Sequence, residues 1–126
     1  MKKVLLSGNC NVDYPRLARF LIDTFDCRIS RAKDNEDAKR QLKDDSFDLV
    51  MVNRIGAFDS EPGIDIVHYV QKDEKLKSTP VMLITNYPDK MEEAVSAGAV
   101  EGFGKDDLRS EKPAQILKKF LAVESE

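Results

Sequence analysis

Short apolar runs alternate with stretches of helical spacing along all 126 residues, and this alternation limits the folds open to the chain. Val4-Leu5-Leu6, Phe47 to Val52 and Val81-Met82-Leu83-Ile84 are continuous apolar runs, as expected of parallel strands covered on both faces. Between them, Leu17, Phe20, Leu21, Thr24 and Phe25 recur every three or four residues, and so do Ile64, Val67 and Val70. Cys27, Ile29 and Ala32 mark a weaker second strand, and Val100 to Phe103 a short fifth one. Met91, Ala94 and Val95 are the expected inner side of a fourth helix, and Ile116, Leu117, Phe120 and Leu121 that of a fifth. Asp13 and Asp34 are placed to cap the first two helices, Pro15 and Pro88 fall in first turns, and Gly98 marks a helix end.

Five strands alternating with five helices predict a single α/β domain over residues 1–126: a (βα)5, flavodoxin-like parallel sheet of order 2-1-3-4-5, with helices on both faces. In such a sheet, the ligand crevice opens at the carboxyl ends of strands one and three, where strand order reverses. That directs attention to Ser7–Asn11 and Asn53–Ile55.

Composition narrows the function classes. A formal net charge of −3 argues against nucleic acid as a partner. No apolar run reaches the roughly 20 residues that span a bilayer, and no leader pattern opens the chain, so no membrane role and a cytoplasmic location are expected. The lone His68 reads as a surface residue. Cys10 and Cys27 should sit at opposite ends of the first helix, about 15 Å apart at 1.5 Å per residue and beyond disulfide reach.

Three stretches carry a family resemblance. "FDLVMVN" ends at Asn53, "TPVMLIT" ends at Thr85, and "AVSAGAVEGFGK" ends at Lys105. Over essentially its full length the chain resembles a response-regulator receiver domain of the CheY type. The resemblance implies a phospho-acceptor position at Asn53, an acidic pair at Gly8 and Asn9, and a conserved-type threonine and lysine at Thr85 and Lys105. It also places a switch aromatic at Gly102 and a proline at Asp106, and the loop before Gly63 is about two residues longer than the family pattern. The resemblance further implies a protein partner, or a homodimer, on the face made by the fourth helix, fifth strand and fifth helix, from Met91 to Lys119.

The departures bear on chemistry. Phosphoryl transfer to a receiver needs a carboxylate nucleophile and a divalent cation. A neutral amide at Asn53 forms no acyl phosphate, and Gly8 and Asn9 supply no carboxylate for Mg²⁺. The expectation is therefore a degenerate phosphorylation site, with no metal, cofactor or enzymatic activity, in a signalling adaptor. Lys105 is expected to bond the Asn53 side chain or to pair with Asp59 or Glu61. Lys105 and Thr85, with backbone N–H groups near Gly8 and Asn9, are the alternative anion site. Phosphorylation on another carboxylate (Asp48, Asp59 or Asp13) is a second alternative.

Cys10 and Arg16 form a Cys-x5-Arg spacing that resembles the phosphate loop of low-molecular-weight tyrosine phosphatases. The intervening residues include Asp13 and Pro15 and no glycine, which suits phosphate poorly. Ser7-Gly8-Asn9 is too little for a flavin phosphate loop. Phe103 is expected in the core, and Tyr87 is expected to pack ahead of the fourth helix, with an exposed, switch-like position as its alternative. The charged stretch from Asp34 to Asp45 reads as a solvated helix face.

Overall fold

The computed structural model describes residues 1–122. Four strands form one parallel sheet: β1 (Lys2–Ser7), β2 (Cys27–Ala32), β3 (Leu49–Asn53) and β4 (Val81–Ile84), in the order β2-β1-β3-β4. The helices α1 (Asp13–Thr24), α2 (Asn35–Asp44), α3 (Ile64–Lys72), α4 (Pro88–Ser96) and α5 (Lys112–Leu121) connect or follow them, and a 3-10 turn covers Lys105–Arg109. The α/β class, the strand order and the five helices match the sequence reading.

β3, β4 and the second half of β1 are apolar because both faces are covered there, whereas the edge strand β2 carries Arg28, Ser30 and Arg31 and is only partly buried. Val4, Leu6, Leu49, Met51, Met82 and Ile84 point to one face and pack with Leu17, Leu21, Ile116, Leu117 and Leu121 of α1 and α5. Leu5, Val50, Val52, Val81 and Leu83 point to the other, against Ala38, Leu42, Ile66, Val67, Val70 and Ala94 of α2, α3 and α4. The two-residue period of a strand divides one run between two cores. Covering both faces leaves only the strand ends open for a site.

The expected fifth strand is reduced to a single bridge between Met82 and Val100. Val100 N–H donates to the Val81 carbonyl at 2.9 Å, and Thr85 N–H donates to the Phe103 carbonyl at 3.2 Å. Between them Gly102 N–H turns away, to Met91 Sδ at 3.3 Å. A Cβ at Gly102 would come within 2.6 Å of the Leu83 carbonyl oxygen. The glycine lets the segment press against β4 too closely for a regular ladder. Phe103 still anchors this segment and is only 1% exposed.

Helix starts divide into one agreement and one correction. Asp34 caps α2 as expected, accepting Asp37 N–H at 2.8 Å. Asp13 does not cap α1. It is the first helical residue, its own N–H donates to Cys10 Sγ at 3.3 Å, and its carboxylate faces elsewhere. Val95 is also displaced from expectation: in a helix whose only fully buried residue is Ala94, it lies on the exposed side.

Truncating the Phe103 anchor removes a buried ring, so Phe103→Ala is expected to lower unfolding free energy by about 3–5 kcal/mol. Val95→Ser on the exposed side of α4 should stay within about 0.5 kcal/mol. Urea midpoints of the two variants check both values.

Candidate functional site

Three strand ends converge on the crevice. β1 delivers Ser7, Gly8 and Asn9, β3 delivers Asn53, and β4 delivers Thr85 one residue past its end. Gly8 adopts φ +81°, a conformation glycine reaches without the Cβ penalty. A Cβ there would lie 3.2 Å from Gly56 Cα and 3.4 Å from Asn53 Cβ.

Gly56 belongs to the long loop between β3 and α3, and that loop is built, not slack. Ile55 and Pro62 form an antiparallel bridge. Gly56 N–H donates to the Glu61 carbonyl at 2.9 Å, and Gly63 N–H to the Arg54 carbonyl at 2.8 Å. Asp59 accepts Asn35 N–H at 3.1 Å and Glu61 N–H at 3.0 Å, which ties the loop to the start of α2. Ala57 N–H donates to the Gly8 carbonyl at 2.9 Å. The miniature hairpin is thereby fastened over the end of β1, beside the position where an acidic side chain at residue 8 would project.

The Asn53 amide donates to the Ile55 carbonyl at 3.0 Å. Lys105 pairs with neither Asn53, Asp59 nor Glu61, which corrects all three expectations. Its Nζ meets Asp13 Oδ2 at 2.5 Å, joining the 3-10 turn to α1. The Lys105 ammonium holds the Asp13 carboxyl below its ordinary range, with Cys10 and Arg16 adding to the effect against a cost from partial burial. Asp59 is spent on backbone N–H groups, and Asp48 lies at the far end of β3, accepting Lys3 N–H at 2.8 Å.

Asn9 is buried at 3% exposure, and its Oδ1 has no partner among the described residues. It shares a small hollow with Asp13, Arg16, Leu17, Phe103 and Lys105. Cys10 sits beside the Asp13 carboxylate, so a phosphate ester at that thiol would face a like charge from within the same loop. Cys10 and Cys27 are both free thiols.

A donor set for Mg²⁺ needs one or two available carboxylates. The strand ends offer the amides of Asn53 and Asn9, and Asp13 is already held by an ammonium group. This set is a poor fit for the ion.

The sequence reading missed Arg31 and Asn86. Arg31, near the end of β2, donates to the Asn9 carbonyl at 3.2 Å and to Asn11 Oδ1 at 2.9 Å. Its guanidinium lies 4.4 Å from the Tyr14 ring centre and 5.9 Å from that of Phe58. Because β2 lies beside β1 in the sheet, its last residues reach the crevice, and strand order was the signal that could have found Arg31. Asn86 Oδ1 accepts Asp106 N–H at 3.1 Å, linking the β4 end to the 3-10 turn. Tyr87 takes the exposed position that is the alternative to packing ahead of α4. The residue is 55% exposed, and its ring centre lies 5.0 Å from the Arg54 guanidinium carbon.

Neither protein-family models nor curated proteins give a match to this chain. Solved structures do. A response regulator from Chloroflexus aurantiacus aligns with a TM-score of 0.84 at 17% identity, covering 97% of this chain and 98% of that one. The receiver domain of a sensor histidine kinase from Pseudomonas aeruginosa, which has a magnesium ion coordinated in its active-site cleft, aligns with a TM-score of 0.79 at 17% identity, over 97% and 98%. A beryllofluoride-activated receiver-domain dimer aligns with a TM-score of 0.76 at 19% identity, over 94% of each chain. The fold is that of CheY-like receiver domains.

The Asp13–Lys105 pair makes a signed prediction. A folded-state pKa below the unfolded value of about 3.9 means that the contribution is complete at neutral pH and fades as acid protonates Asp13. In a carboxyl-carbon NMR titration, Asp13 is expected to titrate below the ordinary aspartate value. Lys105→Met, which removes the largest cause, should move it upward.

Proposed function

We propose that this chain is a receiver-like signalling module that is not phosphorylated and acts through binding a protein partner. The observation that carries the reading is the amide of Asn53 at the β3 end, donating to the Ile55 carbonyl where a nucleophilic carboxylate would have to stand. A neutral amide, its nitrogen lone pair delocalised into the carbonyl, does not form the acyl phosphate that a carboxylate forms.

Two further features support it. The nearest carboxylate on the β1 side, Asp13, is committed to Lys105. The β3–α3 hairpin is fastened to Gly8 by the Ala57 hydrogen bond, over the place where an acidic residue would help hold a cation. The β1 side of the crevice is therefore cross-linked by its own side chains and backbone, at the position where a cation would need carboxylate ligands. The same neighbours argue against rescue by Asp13, Asp48 or Asp59, each of which already has a partner. A cytoplasmic location and a non-enzymatic role follow from this reading.

For the partner, the family resemblance favours the surface formed by α4, the 100–104 segment and α5, from Met91 to Lys119. A dimer through that surface is the second arrangement, in keeping with the dimeric receiver domain among the structural neighbours.

Incubation with acetyl phosphate and Mg²⁺, followed by intact-protein mass spectrometry, is expected to give no gain of a phosphoryl group. Asn53→Asp should remain unlabelled as well, because Gly8 and Asn9 supply no carboxylate and the Ala57–Gly8 hydrogen bond holds the hairpin over the position that a further cation ligand would need. Labelling of the unmodified chain would overturn the reading.

A further inference from the structure

Two adjoining hollows at the mouth of the crevice share Arg54 and Ile55. The first, of about 160 Å³, lies between the ends of β3 and β4, and Asn53, Thr85, Asn86, Tyr87 and Lys105 also line it. The second, of about 100 Å³, has Pro62, Ile64 and Leu83 among its walls, with the Lys90–Glu93 ion pair at its edge. The first is richer in unspent hydrogen-bond donors, the second in aliphatic surface.

The first hollow has no carboxylate in its lining and a surplus of hydrogen-bond donors. Thr85 Oγ accepts Tyr87 N–H at 3.1 Å, which leaves its O–H to donate. Asn86 uses its oxygen on Asp106, which leaves its NH₂ group. Asn53 spends one N–H on Ile55 and keeps the other. Arg54 lies against the Tyr87 ring and forms no ion pair among the described residues. An array of donors with a guanidinium at its edge is matched by an acceptor-only group.

Charge decides which anion. Arg54 contributes one positive charge, and Lys105 is neutralised by Asp13. A net formal charge of +1 complements a monoanionic carboxylate better than a phosphate dianion. Next to it, Ile55 at 38% exposure and Tyr87 at 55% leave apolar surface facing solvent, and the second hollow continues that surface inward.

We propose that this mouth binds a partner-protein segment in which a glutamate or aspartate is followed by an aliphatic side chain. The carboxylate occupies the donor-lined hollow against Arg54, and the aliphatic group enters the hollow walled by Pro62, Ile64 and Leu83. The inference rests on the reading of a crevice without a phosphoryl group, since a phosphorylated centre would compete for the same donors. The recognition is local, because the chain as a whole carries a net charge of −3.

The test uses the full chain, isotope-labelled, and a capped heptapeptide with a central Glu-Leu pair in Gly-Ser flanks. Its Gln-Leu twin and inorganic phosphate are the comparison probes. Saturable amide shifts are expected at Arg54, Ile55, Thr85 and Tyr87. The Gln-Leu peptide should bind about tenfold more weakly, the scale of one lost hydrogen bond to a charged group. Arg54→Gln should abolish the response with the rest of its spectrum unchanged, and Lys43→Glu on the exposed side of α2, away from both hollows and from the α4–α5 surface, should leave it intact.

Equal binding of the two peptides, no saturable shift, an undiminished response in Arg54→Gln, or phosphate binding as tightly as the Glu-Leu peptide would each overturn the proposal. Acetyl phosphate labelling, run separately, isolates the two claims. An unlabelled protein that ignores the peptide overturns the docking inference alone, whereas a labelled one overturns the functional reading beneath it.

Discussion

Burial of the sheet on both faces governs everything else in this molecule. Val50 and Met51 are adjacent in β3, yet they belong to opposite cores, and both are essentially inaccessible. With helices on each side, no polar group can be accommodated at low cost in the fully buried stretches of β1, β3 and β4. Polar side chains are therefore displaced to the strand ends, where Ser7, Asn9 and Thr85 are the buried polar residues of the described chain. The crevice is the one region where the fold tolerates chemistry, and its character is set by a few substitutions there.

Those substitutions act together. Glycine at residue 8 permits the close approach of Gly56, which an acidic side chain would obstruct. The approach lets the β3–α3 hairpin bond the β1 end, and an amide at residue 53 finds a carbonyl partner in the same hairpin. On the other side, Lys105 finds Asp13. Lys105 is exposed, so the pair contributes little to stability; its effect is to tie the 3-10 turn to the first residue of α1. Each of these residues fits the others, so the arrangement of the strand ends is a set of mutually compatible contacts and not independent choices.

The sequence was most legible where burial speaks through periodicity. The four strands, the five helices, the Asp34 cap and the core position of Phe103 were readable from spacing and residue type. The site was legible in position and less so in pairing. Asn53, Gly8, Asn9, Thr85 and Lys105 all lie at the crevice, but the Asp13–Lys105 contact joins residues 92 positions apart, and no local pattern encodes such a pair. Asp13 resembled a cap because capping depends on a backbone angle that sequence does not display. Arg31 was overlooked because its role comes from the neighbouring strand. The fifth strand failed for a different reason: Gly102 looked like a lost aromatic, when its greater effect is to admit a carbonyl within the space of a methyl group.

That thin contact between β4 and the 100–104 segment has a mechanical consequence. Two backbone hydrogen bonds and one buried ring hold the segment, against the continuous ladders that join β1 to β2 and β3. Cooperative units tend to separate where such bonds are few. The seam beside β4 is thus where the sheet is most thinly joined by backbone hydrogen bonds, and burial of Phe103 together with the seating of Leu117 and Leu121 of α5 against β1 and β3 compensates for the missing ladder.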